Sequence, residues 1–198
     1  MKKTRTNATK PLDWKEAKKA MLFLENEKEY HYLIILAIGF YTGYRLADII
    51  EMKYLDFTDD KEFLEIQERK TSKQRPIKIL PELRRIVQLC KQELKKKDSY
   101  YIFTRMRFNS NIPISKESGI ARVKKAFEKS GVQLKKGTSH VLRKTFALRY
   151  YNLASEQVGD QRALIQLAEM LNHDSTKTTR AYIGISEKME ADIFTNFA

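Results

Sequence analysis

Cysteine is almost absent: Cys90 is the only one in 198 residues. A single thiol excludes an internal disulfide framework and a thiolate-rich metal site. Cys90 ends the run Arg-Arg-Ile-Val-Gln-Leu-Cys, on the apolar face of an expected helix, and reads as a buried structural thiol. Histidine is scarce too, with only His31, His140 and His173. Long apolar runs are missing. The longest, from Leu33 to Phe40, is interrupted by Gly39 and is too short to cross a bilayer. No signal peptide is evident. Together these absences predict a cytoplasmic protein in a reducing compartment, with no membrane partner. The chain also lacks a Walker motif, an acidic metal cluster and a Gly-rich nucleotide loop, so neither metal nor cofactor is expected.

Negative charge is in short supply as well. Lys and Arg number 38 against 25 Asp and Glu, a net charge of +13 spread along the whole chain. Such a surface attracts polyanions, nucleic acid first among them. Hydrophobic content of 42% is enough for a globular core.

Residues 1–11 form a basic arm without apolar periodicity. Asp13 then reads as a helix N-cap, with Glu16 completing a capping-box-like pair. Ala17, Ala20, Met21 and Leu24 make the apolar face of that first helix. A second helix, about Glu29 to Tyr41, is apolar almost all round and belongs in the core. Gly43 ends it, and a short third helix runs from Leu46 to Met52. The alternation in Phe63-Leu-Glu-Ile-Gln and in Pro76-Ile-Lys-Ile predicts a small hairpin around a polar turn, Arg69 to Arg75. Pro81 opens a helix to about Lys97, whose last turn would be Lys95-Lys96-Lys97. Tyr100 to Phe103 is a short extended piece. Ser115 caps a helix to Ser130, closed by Gly131. Further helices fit His140 to Leu153, Gln161 to Leu171 and Thr176 to Ile183. The fold class is mainly α with a small antiparallel β-sheet. Residues 12–185 form one domain and 186–198 a C-terminal amphipathic helix, packed on its own core or on another copy.

Single residues carry chemistry only weakly. His140 stands three residues before Arg143 at a helix start, so both side chains can reach one ligand. The imidazole can move a proton near neutral pH, and the guanidinium fork fits two phosphate oxygens. A helix N-terminus adds a favourable dipole. Arg45 sits among apolar residues, where its charge needs pairing. Asp48 could supply that pairing, in a plain helix ion pair of small value, or orient a neighbour.

In combination these residues are more telling. Phe40-Tyr-Thr-Gly-Tyr-Arg45-Leu-Ala-Asp48 resembles the first arginine box of the tyrosine recombinases and phage-type integrases, with Asp48 where Glu is commoner. Ser139-His140-Val-Leu-Arg143 resembles the family's His-x-x-Arg box. Leu171-Asn172-His173 resembles its Leu-Gly-His element, with Asn172 in place of Gly. Thr178-Thr-Arg-Ala-Tyr182 resembles its nucleophile box, nine residues past His173 (182 − 173 = 9). Lys70, in the hairpin turn, falls where the family keeps a lysine, and Lys73 competes for that place. The likeness covers about Asp13 to Gly184, and four boxes in order are far more specific than any one.

The resemblance implies the fold of the family's catalytic domain and a metal- and ATP-independent strand transfer on double-stranded DNA. Tyr182 is implied as nucleophile, forming a 3′-phosphotyrosyl bond, and His140 as base or phosphate-positioning group. Arg45 and Arg143 would clamp the non-bridging oxygens. His173 would donate a hydrogen bond, and Lys70 would protonate the leaving 5′-oxygen. Asp48 would orient the site without reacting. Lys73, Arg75, Lys144, Lys124 and Lys125 are candidate DNA contacts, as are Lys78, Lys135 and Lys136. The resemblance further implies a homo-oligomer, a tetramer, on DNA, with a monomer allowed in solution. A bacterial, nucleoid-associated setting in DNA integration, excision or inversion goes with it. No N-terminal core-binding domain is expected ahead of the first helix, and the chain reads either as an isolated catalytic domain or as one of the short recombinases, such as the fimbrial phase-variation invertases. Two other readings stand beside this one: a catalytically weak DNA-binding or regulatory module of the same fold, and DNA relaxation like that of a type IB topoisomerase.

Overall fold

A computed structural model describes residues 9–67, 74–105, 111–134 and 139–185. The candidate lysines Lys70 and Lys73, the basic pair Lys135 and Lys136, most of the N-terminal arm and the C-terminal segment 186–198 lie outside them. By its internal contacts the chain divides into two compact units, residues 1–146 and 147–198, and the boundary falls inside one helix.

The first unit is built around α2. Helix α1 (Trp14–Asn26) starts at Asp13, whose carboxylate accepts the Lys15 amide at 2.7 Å. The cap bond runs to that amide. Ala17, Ala20, Met21 and Leu24 are buried, as the periodicity predicts. Helix α2 (Tyr30–Thr42) is buried without a break from Leu33 to Thr42. It contacts α1, α4 (Pro81–Glu93) and α5 (Lys116–Lys129), which explains a helix apolar on every side. Gly43 closes α2 in the left-handed conformation, at φ +61°.

Helix α3 is a single turn, Leu46–Ile49, shorter than expected. The chain leaves it because Met52 and Tyr54 are drawn into bonds with a distant segment. The Ile102 amide donates to the Met52 carbonyl at 2.9 Å, and the Tyr54 amide to the Tyr100 carbonyl at 3.1 Å. A 3-10 turn, Tyr54–Phe57, follows. Strands β1 (Phe63–Gln67) and β2 (Gln74–Lys78) pair antiparallel, with Leu64 opposite Ile77 and Ile66 opposite Arg75. Strand β2 thus begins before Pro76 and takes in Gln74 and Arg75, which sequence had assigned to the turn.

Helix α4 stops at Glu93, so Lys95, Lys96 and Lys97 are not its last turn. Lys95 takes φ +52°, and the Lys96 amide turns back to the Lys91 carbonyl at 2.9 Å. This is a Schellman closure with lysine where glycine is usual. Residues 100–103 form no strand; Tyr101 makes an isolated bridge with Lys53, and Thr104 just beyond makes another with Pro113. Ser115 caps α5 by accepting the Ser118 amide at 3.2 Å.

Helix α6 (Ser139–Val158) is longer at its C-terminal end than expected and crosses the unit boundary after Phe146. The second unit holds the rest of α6 with α7 (Asp160–Leu171) and α8 (Thr176–Ile183). Its core is Ala147, Leu164, Leu167, Leu171 and Ile183, with Tyr150, Tyr151 and Tyr182 packed against it. No helix among the described residues is long and apolar enough to cross a membrane.

Candidate functional site

The first unit joins two of the sequence boxes through backbone carbonyls. Arg143, in the second turn of α6, donates from its guanidinium to the Gly43 carbonyl at 2.9 Å, across 100 residues of sequence. Gly43 lies two residues before Arg45, so the two arginine boxes share one turn. That approach is possible only because Gly39 and Gly43 lack side chains. A Cβ on Gly39 would stand 2.6 Å from Leu142, and one on Gly43 would stand 2.3 Å from Phe146. Arg143 is buried, Arg45 half-buried and Asp48 buried.

His140 lies on the exposed surface at the start of α6. Its pKa is lowered from the ordinary histidine value. Partial burial of the ring is the leading cause, followed by the positive charges of Lys144, Arg143, Arg45 and Lys116. The ring is therefore held neutral beside a cluster of cations, and a neutral imidazole can accept a proton.

Arg75 and Lys144 have a different place from the one expected. Both are buried, Arg75 at 6% exposure and Lys144 at 7%. The Arg75 guanidinium stacks over the Tyr44 ring at 4.2 Å and donates to the Thr42 carbonyl at 3.0 Å. This is a framework position inside the fold, not an open phosphate contact. A signal was present in the alternation of β2, where Arg75 shares its face with buried Ile77 and Ile79. Burial lowers the pKa of Lys144. Lys124 and Lys125 are exposed on α5, near Glu128 at 3.9 and 3.3 Å. Lys78 is exposed and paired with Glu62 at 3.0 Å.

The second unit holds the other two boxes. Asn172 ends α7 in the left-handed conformation, at φ +52°. Asparagine tolerates that region better than most residues, so it can stand where the family pattern has glycine. The turn presents His173, whose Nδ1 lies 3.0 Å from the Thr179 hydroxyl on α8. That hydroxyl is also 3.3 Å from the Ser175 carbonyl. The hydroxyl donates to that carbonyl, and its oxygen also faces the imidazole, which ties the ring to the start of α8. Tyr182, in the last turn of α8, packs edge-on against the His173 ring with centroids 5.0 Å apart. Ser175 caps α8 by accepting the Thr178 amide at 3.2 Å, and Gly184 closes it. Nucleophile candidate and histidine are thus fixed on one short, doubly capped helix and the turn before it.

Sequence reasoning missed Thr42, Tyr44 and Phe146, which pack around the arginine turn. Among the described residues no group of three or more His, Cys, Asp and Glu could hold a metal ion.

Comparison with known proteins places most of this chain in one family. The model of the phage integrase family matches residues 10–189. A probable integrase/recombinase of Bacillus subtilis (strain 168), YoeC, is 30% identical over 169 residues, covering 85% of this chain and 84% of that protein. Tyrosine recombinase XerA of Pyrococcus furiosus is 28% identical over 180 residues, covering 90% of this chain but 58% of that protein. Among solved structures, a XerA recombinase aligns with a TM-score of 0.69 at 20% identity, over 97% of this chain and 65% of that one. XerH, bound to a palindromic difH substrate in a post-cleavage complex, aligns with a TM-score of 0.66 at 19% identity, over 94% and 52%. At such identities these two likenesses establish the fold alone.

Proposed function

The chain belongs to the phage integrase family, the tyrosine recombinases, and from that premise we propose that it cuts and rejoins DNA by way of Tyr182. The phenol oxygen of Tyr182 attacks a scissile phosphate. The bond to the 5′-oxygen breaks, leaving a 3′-phosphotyrosyl link and a free 5′-hydroxyl. A phenol has an ordinary pKa near 10, so His140 accepts its proton as the bond forms. Arg45 and Arg143 meet the charge gathering on the non-bridging oxygens. His173 donates a further hydrogen bond to the phosphate. Lys70 gives the proton that the departing oxygen needs, with Lys73 as the alternative donor. Attack by a 5′-hydroxyl on the link reverses the step and joins a new strand, with no energy source required.

The observation that carries this reading is the Arg143–Gly43 bond. It ties two boxes, 100 residues apart, into one turn beside His140. Double-stranded DNA is the proposed partner, supported by the net charge of +13 and by XerH having been solved on a palindromic difH substrate. A palindromic substrate suits copies related by a two-fold axis, which supports assembly of this chain on DNA as a homo-oligomer. Integration, excision and inversion all use this chemistry. A DNA duplex nicked near the cleavage site, which traps the intermediate, tests the reading. A stable protein–DNA adduct is expected; none on a true target would end it.

The lowered pKa of His140 fixes a pH dependence. As base, the ring must be neutral, and the neutral form persists further into acid than for an ordinary histidine. Measured with DNA below saturation, adduct formation reports the free protein. Its acid limb should therefore lie below the ordinary histidine value of about 6.5. His140→Gln should slow the reaction roughly a hundredfold or more and remove that limb. A limb at or above the ordinary value, or one unchanged in His140→Gln, contradicts the role.

A further inference from the structure

Three successive residues before Arg45 are each held by a side chain distant in sequence or by their own. Thr42 gives its carbonyl to the Arg75 guanidinium at 3.0 Å. Gly43 gives its carbonyl to Arg143 at 2.9 Å. Tyr44 sends its hydroxyl to the hairpin, to the Leu64 carbonyl on β1 at 3.3 Å and to the Arg75 carbonyl on β2. The Arg75 guanidinium returns over the Tyr44 ring at 4.2 Å, with the Phe146 ring at 6.0 Å. Tyr44 is 1% exposed and Thr42 wholly buried. Inside the turn, the Thr42 hydroxyl donates to the Ile38 carbonyl at 2.6 Å and accepts the Tyr44 amide at 3.3 Å.

From this arrangement we infer that Tyr44 and Arg75 form a reciprocal lock that positions Arg45 for phosphate binding. The inference rests on the function proposed above. Each partner reaches the other's backbone neighbourhood. Tyr44 bonds the Arg75 carbonyl, and Arg75 bonds the carbonyl two residues before Tyr44. Neither contact can shift without disturbing the other. Because one hydroxyl lies between carbonyls on both strands, each strand of the hairpin is tied to the turn that ends in Arg45. Two guanidinium groups, Arg75 and Arg143, hold neighbouring carbonyls of this turn.

The geometry also explains the choice of residues. A buried guanidinium needs acceptors and a flat apolar face, and the Thr42 carbonyl and Tyr44 ring supply both. Lysine would keep the charge but lose the planar stack and the fork. Phenylalanine at position 44 would keep the ring and lose only the hydroxyl. These two changes therefore remove opposite halves of the lock with little change in volume. Tyr44 and Arg75 are positioning residues: they act through Arg45 and touch no substrate themselves. Small displacements of a catalytic group cost large factors in rate.

The test uses the full chain and the nicked duplex. Tyr44→Phe, Arg75→Lys and the double variant are compared with the unaltered protein at saturating DNA. Each rate is divided by the folded fraction from thermal unfolding, and DNA affinity is titrated separately. Both single variants should form adduct roughly ten- to a hundredfold more slowly per folded molecule. DNA affinity should change less than about threefold in either. The double variant should be no slower than the slower single one, because both remove the same device. A rate per folded molecule equal to that of the unaltered protein in Arg75→Lys overturns the inference. So does a double variant whose loss is the product of the two single losses. If the unaltered protein forms no adduct, the proposed function fails first and the lock falls with it. Adduct from the unaltered protein with unimpaired variants removes the lock alone.

Discussion

Tyr182→Phe is expected to abolish the covalent protein–DNA adduct while leaving fold and DNA binding in place. The change removes one oxygen from the proposed nucleophile and keeps the ring. The ring packs edge-on against His173, with centroids 5.0 Å apart, and joins the core of the second unit. A half-buried phenol that keeps its ring should lose less than about 1 kcal/mol of stability. The chemistry has no substitute. Its neighbour along α8, Ala181, offers no nucleophile, and Thr178 and Thr179 are engaged by Ser175 and His173. Loss of a covalent nucleophile costs on the order of 10⁴-fold or more, below detection in a gel of adducts that survive detergent. The decisive comparison is between Tyr182→Phe and the unaltered protein on the same nicked duplex. Equal adduct would mean another residue attacks. Relaxation of plasmid lacking any specific site would instead favour topoisomerase-like use of this chemistry.

Much of this site was legible because its boxes are short, local patterns. The sequence predicts α8 from Thr176 to Ile183, and the structure has those bounds. It predicts the buried face of α1 residue by residue. Such features depend on neighbours three or four positions away, which the chain itself displays. What escaped depends on distant partners. Helix α3 ends early because Met52 and Tyr54 bond to residues near position 100, and no local rule announces that. Arg75 looked like a phosphate contact because it is basic and adjoins a polar turn. Its true neighbours, Thr42 and Tyr44, lie 33 and 31 residues away. Lys95 to Lys97 suited a helix C-terminus, yet α4 closed before them through the backbone bond of Lys96 to Lys91. Charge preference there was weaker than the Schellman closure, each charge being worth a fraction of 1 kcal/mol at an exposed end, or about 0.5. Asn172 runs the other way. The chain departs from Leu-Gly-His at this position, and the left-handed turn shows why asparagine serves.

Gly43→Ala should be the most damaging small substitution in the first unit, with loss of both stability and cleavage. Two independent costs meet at this position. The backbone is left-handed at φ +61°, where a side chain costs roughly 1–2 kcal/mol. The new Cβ would also stand 2.3 Å from Cδ1 and 2.6 Å from Cγ of the Phe146 ring. Forcing a ring aside in a packed interior costs roughly 1–3 kcal/mol more. The sum is about 3 kcal/mol, or a fall of roughly 10 °C in melting temperature for a chain of this size. Gly131→Ala separates the terms. Gly131 is left-handed at φ +72°, but an added Cβ meets nothing within 4 Å, so only the backbone cost applies. Gly39→Ala isolates the other term: its Cβ would stand 2.6 Å from Leu142, and its φ is not positive. Thermal unfolding should rank Gly43→Ala below both. If it melts no lower than Gly131→Ala, the close approach of Phe146 is not a constraint. Function should suffer beyond stability. The Gly43 carbonyl holds Arg143, and its peptide leads into Tyr44 and Arg45. A shift that relieves the Phe146 contact moves that carbonyl, and with it the alignment of both guanidinium groups. Adduct formation per folded molecule should therefore drop roughly a hundredfold in Gly43→Ala and stay near normal in Gly131→Ala.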